Sequence, residues 1–377
     1  VYVDDLTEDM LTGAAHVAYA RSAVAHGTVL SIDIDGARDM PGVLGVYTAE
    51  SLDLLPVPSS YNRAVARTLL ASVTVRYDGE PVAAVVAETA AQAADAAEMI
   101  FVDVDFLPTL VDVEAAMTSE TLLYPDAGSN VVLDTTAVGI PENTPVEEFF
   151  ADCDVVVTGR FMNQRVAPCP LEVRGSAAAW VDGRLHQWVS TQHAQDIKGP
   201  IVAANGVDPD LVHIITPDVG GAFGAKIGTY PEEMLLGPIA RDLGRPVTWR
   251  ETRSESMMGL GHGRAQLQYV TIGGSRDGRV THLQEHVIQD SGAFADVGTI
   301  LPVAFGRPMT SAVYDIANIE MRVTSVVTNT TPTVPYRGAG RPEATAAAER
   351  AMDMFAAEVG LDPAEVRRIN LIAKFSD

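Results

Sequence analysis

Two glycine-punctuated strings, far apart in the sequence, constrain this chain more than any other feature. The first is VGGAFGAK at 219–226 and the second is YRGAGRPE at 336–343. Each string follows a β-branched, strand-like run and precedes a helix signal. Glycine at such a junction permits unusual backbone angles and lets N–H groups approach a ligand closely. The strings therefore predict two ligand-facing loops on a fold that combines strands and helices.

Charge and hydropathy exclude two classes of partner. Lys and Arg number 26 against 50 Asp and Glu, which gives a net charge of −24. A chain this acidic repels phosphate backbones and anionic lipid surfaces, so nucleic-acid and membrane partners are not expected. The sequence also lacks a continuous apolar run long enough to span a bilayer. Two cysteines cannot form a disulfide framework or a four-sulfur metal site, and a cytoplasmic location is expected.

The chain is long enough for more than one domain, and local signals predict an α+β organisation. Residues 1–115 form a first α+β unit with a buried strand at 81–87 and an alanine-rich helix at 90–99. Residues 116–150 are rich in Pro, Gly and Asn and are predicted to be a connector in loop conformation. Residues 151–377 form a second α+β unit. In it, Asp-Gly pairs at 182–183 and 277–278 predict hairpins, and capping signals predict helices at 231–243, 342–359 and from 363.

Two chemically suggestive features are set aside. The string HLQEH at 282–286 matches a zinc-protease motif, but its neighbours predict a strand. Four residues along a strand separate the two histidines by roughly 13 Å, too far for one zinc ion. Cys169 has no adjacent basic residue to activate it, and we expect a small buried hydrophobe there.

Over essentially its whole length the chain resembles the large subunit of the molybdenum hydroxylases, the family of xanthine dehydrogenase, aldehyde oxidoreductase and carbon monoxide dehydrogenase. Besides the two glycine strings, the resemblance is carried by RYDGEPVA at 76–83, NQRVAP at 163–168, LEVRG at 171–175 and STQH at 190–193. It implies a hammerhead-like domain over 1–115, followed by the first molybdopterin-binding domain over 151–377.

The resemblance assigns cofactor-binding residues one by one. Gln192 corresponds to a glutamine whose amide binds an oxygen ligand of molybdenum; the alternative is a helix-capping side chain at a strand end. Gly221, Ala222, Phe223 and Gly224 correspond to the loop beside the metal's apical ligand. Arg337 corresponds to an arginine whose fork holds an oxyanion or a cofactor oxygen. Gln192 and Arg337 are thus the expected catalytic residues, and no direct metal ligand is expected.

Phe223, Ile227, Tyr336 and Ala339 are expected around the substrate, with core packing as the alternative role of Phe223. The family's carbon monoxide dehydrogenases carry a copper-binding cysteine where this chain has Gly338. Xanthine-specific members carry a glutamate at Ile227 and an aromatic residue at Ala339, and this chain therefore lacks their polar and stacking contacts. These departures favour an aldehyde or an N-heterocycle as substrate. A purine hydroxylase with a rearranged pocket stays an alternative.

The resemblance also implies what lies outside this chain. The expected cofactor is molybdopterin with molybdenum, in its bare form or as the cytosine dinucleotide, with 2Fe-2S and FAD on partner subunits. The base glutamate belongs to the family's C-terminal molybdopterin-binding half and has no candidate here. We therefore expect a piece that is inactive alone and completes its site with that half as a separate chain. A non-catalytic structural relic of the fold is the competing hypothesis.

Overall fold

The computed structural model describes residues 1–374, which form four β-sheets flanked by helices. In this range the strands are β1 (Ala15–Arg21), β2 (Gly27–Asp33), β3 (Val43–Tyr47), β4 (Val57–Pro58), β5 (Ala66–Arg67), β6 (Thr74–Val75), β7 (Pro81–Ala87), β8 (Phe101–Phe106), β9 (Val131–Asp134), β10 (Val155–Asn163), β11 (Gly175–Val181), β12 (Arg184–Val189), β13 (Val212–Ile215), β14 (Val247–Arg250), β15 (Gln266–Gly274), β16 (Val280–Gly292) and β17 (Asn318–Val327).

The α-helices in the same range are α1 (Asp35–Arg38), α2 (Ala90–Ala97), α3 (Val113–Thr118), α4 (Val146–Phe149), α5 (Ala194–Asn205), α6 (Pro231–Leu243), α7 (Arg253–Gly259), α8 (Arg341–Val359) and α9 (Pro363–Asn370). A π-helical stretch covers Pro302–Gly306. None of the helices of residues 1–374 has the length and apolar character needed to span a membrane.

A mixed seven-stranded sheet, in the order β13-β12-β11-β14-β1-β7-β3, contains strands from both predicted α+β units. The junction is a parallel pairing of β1 with β14, in which Ala15 lies opposite Val247. Helices α5 and α6 cover one face, and Ile197, Leu235 and Leu185 belong to the core between them and the sheet. Strands β12 and β13 run in parallel. Their carboxyl ends therefore lead together into STQH and the first glycine string.

A second sheet, in the order β10-β15-β16-β17-β9, carries helices α8 and α9. Its core joins Val270 and Leu283 of the sheet to Phe355 of α8 and Val366 of α9. Strand β16 contains the HLQEH string, which confirms the strand context on which the zinc motif was rejected. Beyond β17 the chain continues into the second glycine string, at the start of α8.

The segment 116–150 was predicted as loop, and that prediction was wrong in part. Strand β9 pairs with β17, with Leu133 opposite Ser325, and α4 follows later in the same segment. The polar side chain of Asp134 then ends the strand by accepting from the N–H of Thr136. A short apolar run between turn residues was enough to form an edge strand, because β17 offered an unpaired partner.

Several local signals are confirmed. The hairpin turn at 182–183 adopts positive φ at both residues, as an Asp-Gly pair favours. Helix α6 begins at Pro231 and ends before Gly244, which has φ +65°. Helix α9 is capped by the carboxylate of Asp362, which accepts from the N–H of Ala364 at 2.8 Å.

Candidate cofactor and active site

The two glycine loops contact each other directly. The N–H of Arg337 in the second loop donates to the carbonyl oxygen of Phe223 in the first, at 2.9 Å. At Gly224 the backbone has φ +100°, and a Cβ there would lie 2.6 Å from the carbonyl oxygen of Pro335. Glycine is therefore needed for this close approach. The two strings, far apart in the sequence, therefore lie together in space.

Gln192 lies against the first loop with its carboxamide in a defined orientation. The side-chain Oε1 accepts from the N–H of Gly224 at 2.8 Å, and the backbone N–H of Gln192 donates to Lys226 O at 2.9 Å. Because a backbone N–H can only face the oxygen, the NH2 group of this exposed side chain points away from the loop. Helix α5 begins at Ala194, and its N-cap residue is His193. The alternative that Gln192 caps this helix is therefore wrong.

The first loop leaves successive backbone donors without partners. The N–H groups of Gly221, Ala222 and Phe223 donate to no acceptor within residues 1–374. Phe223 has φ +53° and its side chain is 42% exposed, so core packing does not explain it. Ala222 and Ala225 keep φ below zero, and Phe223 takes the left-handed conformation between them. A non-glycine residue held there is strained, as is common at functional sites.

Arg337 is exposed, and its guanidinium makes no hydrogen bond or ion pair with the part of the chain that the structure describes. Its loop is held by Arg264, which the sequence did not indicate. Arg264 donates to the carbonyl oxygens of Tyr336 at 3.2 Å and Arg337 at 2.7 Å, and it pairs with the buried Glu343 at 3.1 Å. The backbone of Arg264 and of Ala265 has positive φ. The guanidinium of Arg264 thus fixes the loop backbone, and the guanidinium of Arg337 stays available within the described part of the chain.

The remaining residues expected around a substrate lie on or next to the two loops. Ile227 follows the first loop, and its N–H donates to the carbonyl oxygen of Gly224. Tyr336 and Ala339 belong to the second loop, and all three side chains are half-buried. The ring of Tyr336 packs under the Arg264 guanidinium, 4.8 Å from its centroid. One face of this ring is therefore already occupied.

A buried ammonium group supports the first loop from below. Lys226 is 1% exposed and donates to Glu172 Oε2 at 3.0 Å, Glu172 O at 2.9 Å, Val173 O at 3.2 Å and Ser190 Oγ at 2.9 Å. Glu172 Oε2 also accepts from the N–H of Gly220 at 2.7 Å. Burial lowers the pKa of Lys226, whereas the hydrogen bond and charge of Glu172 oppose that shift. This ion pair joins both ends of the loop to Glu172, and Lys226 also contacts Ser190, which directly follows β12.

A second buried charge cluster lies under the start of α6. Arg174 is fully buried between the rings of Tyr230 and Trp249 and pairs with Glu251 at 2.7 Å and with Glu232 at 3.2 Å. Burial alone would raise the pKa of Glu232. The charges of Arg174 and a second buried guanidinium, from Arg21, outweigh it and hold that pKa at about 2.

The pKa of Glu233, the next residue, is shifted in the opposite direction. Burial raises its pKa to about 8, and an oxygen of its carboxyl group accepts from the N–H of Tyr230 at 3.1 Å. Both Glu232 and Glu233 are 2% exposed in the first turn of α6. Glu232 belongs to the charge cluster and Glu233 caps the helix, and both are buried away from the exposed side chains of Gln192 and Arg337.

Outside this surface, the described residues contain no cluster of three or more side chains of the types that usually ligate metals, His, Cys, Asp or Glu, that is placed to hold a metal ion. The expectation of a buried Cys169 was wrong: Cys169 is exposed, with φ +46° between two prolines that fix the backbone, and its thiol lies 3.2 Å from the sulfur of Met257. A cleft of about 1,180 Å³ runs between β1, β14 and α7, apart from the glycine loops.

Comparison with known proteins identifies the class to which this fold and surface belong. Residues 123–371 match the family described as "Molybdopterin cofactor-binding domain", and residues 1–108 match "Aldehyde oxidase and xanthine dehydrogenase, a/b hammerhead domain". The chain belongs to this family of molybdenum oxidoreductase large subunits. The resemblance found in the sequence and the predicted fold class are both confirmed.

Individual relatives span the whole chain. The nicotine 6-hydroxylase large subunit of Paenarthrobacter nicotinovorans is 32% identical over 99% of this chain and 46% of its own length. The carbon monoxide dehydrogenase large chain of Hydrogenophaga pseudoflava is 32% identical over 99% and 48%, respectively. Quinoline 2-oxidoreductase from Pseudomonas putida 86 superposes with a TM-score of 0.90 at 31% identity, over 98% of this chain and 48% of that one. The chain thus spans about half the length of its relatives.

Proposed function

We propose that this chain provides the first half of the cofactor site of a molybdenum hydroxylase, which oxidatively hydroxylates an aldehyde or an N-heterocycle with water as the oxygen source. The observation that carries the proposal is the convergence of Gln192, the 221–224 loop and Arg337, three segments distant in sequence, on one surface. The hydrogen-bond donors on this surface include backbone N–H groups and a guanidinium that have no acceptor within residues 1–374.

The residues present fit molybdopterin. Its metal carries oxygen ligands, and the surface offers the neutral NH2 of Gln192, the backbone N–H groups of Gly221 and Phe223, and the charged fork of Arg337. When bound, the cofactor supplies the redox centre that takes an electron pair from the substrate carbon. Gln192 would hold an oxygen of the cofactor without adding charge, and Arg337 would stabilise negative charge on the substrate or on a cofactor oxygen. Phe223 provides an apolar wall for a planar substrate.

The pocket residues support the proposed substrate class. Ile227 and Ala339 supply neither the carboxylate nor the aromatic face expected of a purine site, and Gly338 supplies no thiolate for copper. Relatives named for nicotine and quinoline, both N-heterocycles, are among the most similar proteins. Preferential turnover of purines in a substrate assay would instead identify a purine hydroxylase and would contradict the proposed substrate class.

The proposed assembly follows from the same relatives. Because this chain corresponds to about half of each relative, we propose that a C-terminal molybdopterin-binding half completes the site and contributes the base glutamate. Iron–sulfur and FAD subunits would carry the electrons away, in a cytoplasmic complex. The cytosine dinucleotide form of the pterin belongs to the same proposal.

The test is a set of paired substitutions in the assembled enzyme. Gln192→Ala removes the amide donor, and Gln195→Ala removes an exposed glutamine three residues away as the control. Arg337→Met has the exposed Arg276→Met as its control. Loss of one such donor costs about 10²- to 10³-fold in kcat. We expect losses of this size for Gln192→Ala and Arg337→Met, with reduced molybdenum content, and nearly unchanged controls. Full turnover and molybdenum content in both site variants would contradict the proposal.

Substrate class and enzymatic status need a separate measurement. Turnover should be higher with aldehydes or N-heterocycles than with purines. An enzyme subunit should copurify with iron–sulfur and flavin polypeptides, whereas a structural relic should copurify with neither and hold no molybdenum.

A further inference from the structure

Two imidazoles face each other at the outer edge of the seven-stranded sheet. His186 of β12 and His213 of β13 are direct partners in the parallel register, and β13 is the edge strand. Their rings are 5.4 Å apart and nearly perpendicular, and the two Nδ1 atoms are separated by 3.4 Å. His213 is exposed and His186 is half-buried, so water reaches the space between them. Nothing in the proposed reaction uses this pair.

A hydrogen bond is a poor description of this contact. Ordinary N–H donors lie about 2.9–3.0 Å from their acceptors, and 3.4 Å is long. Two nitrogens bound to one tetrahedral Zn²⁺ at about 2.0–2.1 Å lie about 3.3–3.4 Å apart. The Nδ1 atoms therefore already have the spacing of a chelating pair.

The surroundings of His186 also suit a metal ligand. Imidazole binds metal in its neutral form. Burial lowers the pKa of His186, and the charges of His213 and Arg184 lower it further. The positive charge of the nearby Arg184 weakens the binding of a metal ion at this place. The net charge of −24 of the whole molecule attracts cations.

We infer that His186 and His213 form a binding site for one divalent transition-metal ion, of which Zn²⁺ is the representative. The Nδ1 atoms are the two protein ligands, and water fills the remaining positions, since residues 1–374 contain no set of three ligands. The bound ion would join β12 to β13, the two parallel strands whose carboxyl ends lead to Gln192 and to the first glycine loop. This inference does not depend on the proposed enzymatic function.

Calorimetric titration of the chain with Zn²⁺ alone, in a buffer without chelators, tests the site. We expect one ion per chain, with binding weakened in His186→Asn and in His213→Asn. Even an outer-sphere partner is worth about 10- to 100-fold in metal affinity, so loss of a direct ligand should cost at least that much. His193→Asn is the matched control, since His193 is exposed, pairs with Asp196 and lies outside the site. Equal binding by all four proteins would show adventitious association and overturn the inference.

A second readout works on the wild-type chain and does not depend on variants that fold. The indole of Trp188 lies 6.4 Å from the His186 ring, on the same strand. Cu²⁺ binds nitrogen ligands more tightly than Zn²⁺. Cu²⁺ should therefore quench tryptophan emission in a saturable way at one equivalent, and Zn²⁺ should compete with it. Absence of saturable quenching in the wild type would refute the site even if both asparagine variants failed to fold.

Discussion

Replacement of Lys226 by methionine tests whether its buried ion pair holds the first glycine loop in place. The substitution keeps the length of the side chain and removes an ammonium that makes four hydrogen bonds. It leaves Glu172 as a carboxylate in a site that is only 14% exposed. The strand before Gln192 loses its contact with the same ammonium, because Ser190 is one of the four acceptors.

The size of the effect follows from what remains around Glu172. Removal of one partner of a buried ion pair costs about 3–5 kcal/mol. Here the carboxylate keeps two donors, the N–H of Gly220 at 2.7 Å and the hydroxyl of Ser190 at 2.7 Å. We therefore expect the lower end of that range, about 3 kcal/mol, for the free energy of unfolding of Lys226→Met.

Urea unfolding at pH 7 measures this loss. Lys198→Met, on helix α5, is the control and should stay within about 0.5 kcal/mol of the wild type. Glu172→Gln combined with Lys226→Met removes the uncompensated charge, so the double variant should lose less than the sum of the single losses, by about 0.5–3 kcal/mol. A loss below about 1 kcal/mol for Lys226→Met, or strict additivity in the double variant, would refute the assigned role.

Three further predictions concern backbone strain, a buried carboxyl group and the support of the second loop. The control Gly206→Ala has positive φ but open space around the new Cβ, and it should cost about 1–2 kcal/mol in the free energy of unfolding, measured with denaturant. Gly224→Ala should cost more, because its Cβ would also meet the carbonyl oxygen of Pro335. Burial raises the pKa of Glu285 from 4.5 to about 8; folding therefore takes up a proton between these pH values, and stability falls as pH rises through them. Glu285→Gln should abolish that fall and exceed the wild type by about 4 kcal/mol at pH 8, and parallel pH profiles would contradict this. Arg264→Lys should cost about 2 kcal/mol because ammonium cannot replace the fork, whereas the exposed Arg276→Lys should be neutral in the same assay.

Local chemistry made part of the fold predictable. Helix α6 was found from Pro231 and Gly244, and the hairpin at 182–183 from its Asp-Gly turn, because these signals act within a few residues. Helix α5 was not predicted, since Pro200 within it interrupts the helical pattern. The pairing of β1 with β14 joins residues more than two hundred positions apart, and no local pattern reports such a contact.

The candidate site divides in the same way. Short contiguous motifs of the family were enough to identify Gln192, Phe223 and Arg337 from the sequence alone. In the structure these residues lie together. No local pattern in the sequence indicates the supporting roles of Lys226 and Arg264. Their importance lies in acceptors supplied by other segments, and a single sequence does not reveal those partners.

The continuous sheet across β1 and β14 restricts how this protein can move. Separation of the first hundred residues from the rest would break main-chain hydrogen bonds between residues 15–17 and 247–249 in the interior, which is costly without replacement partners. Hinged opening at that junction is therefore disfavoured. In the hydroxylase we propose, substrate would therefore be admitted past the exposed residues Phe223 and Arg337 without hinged opening at this junction.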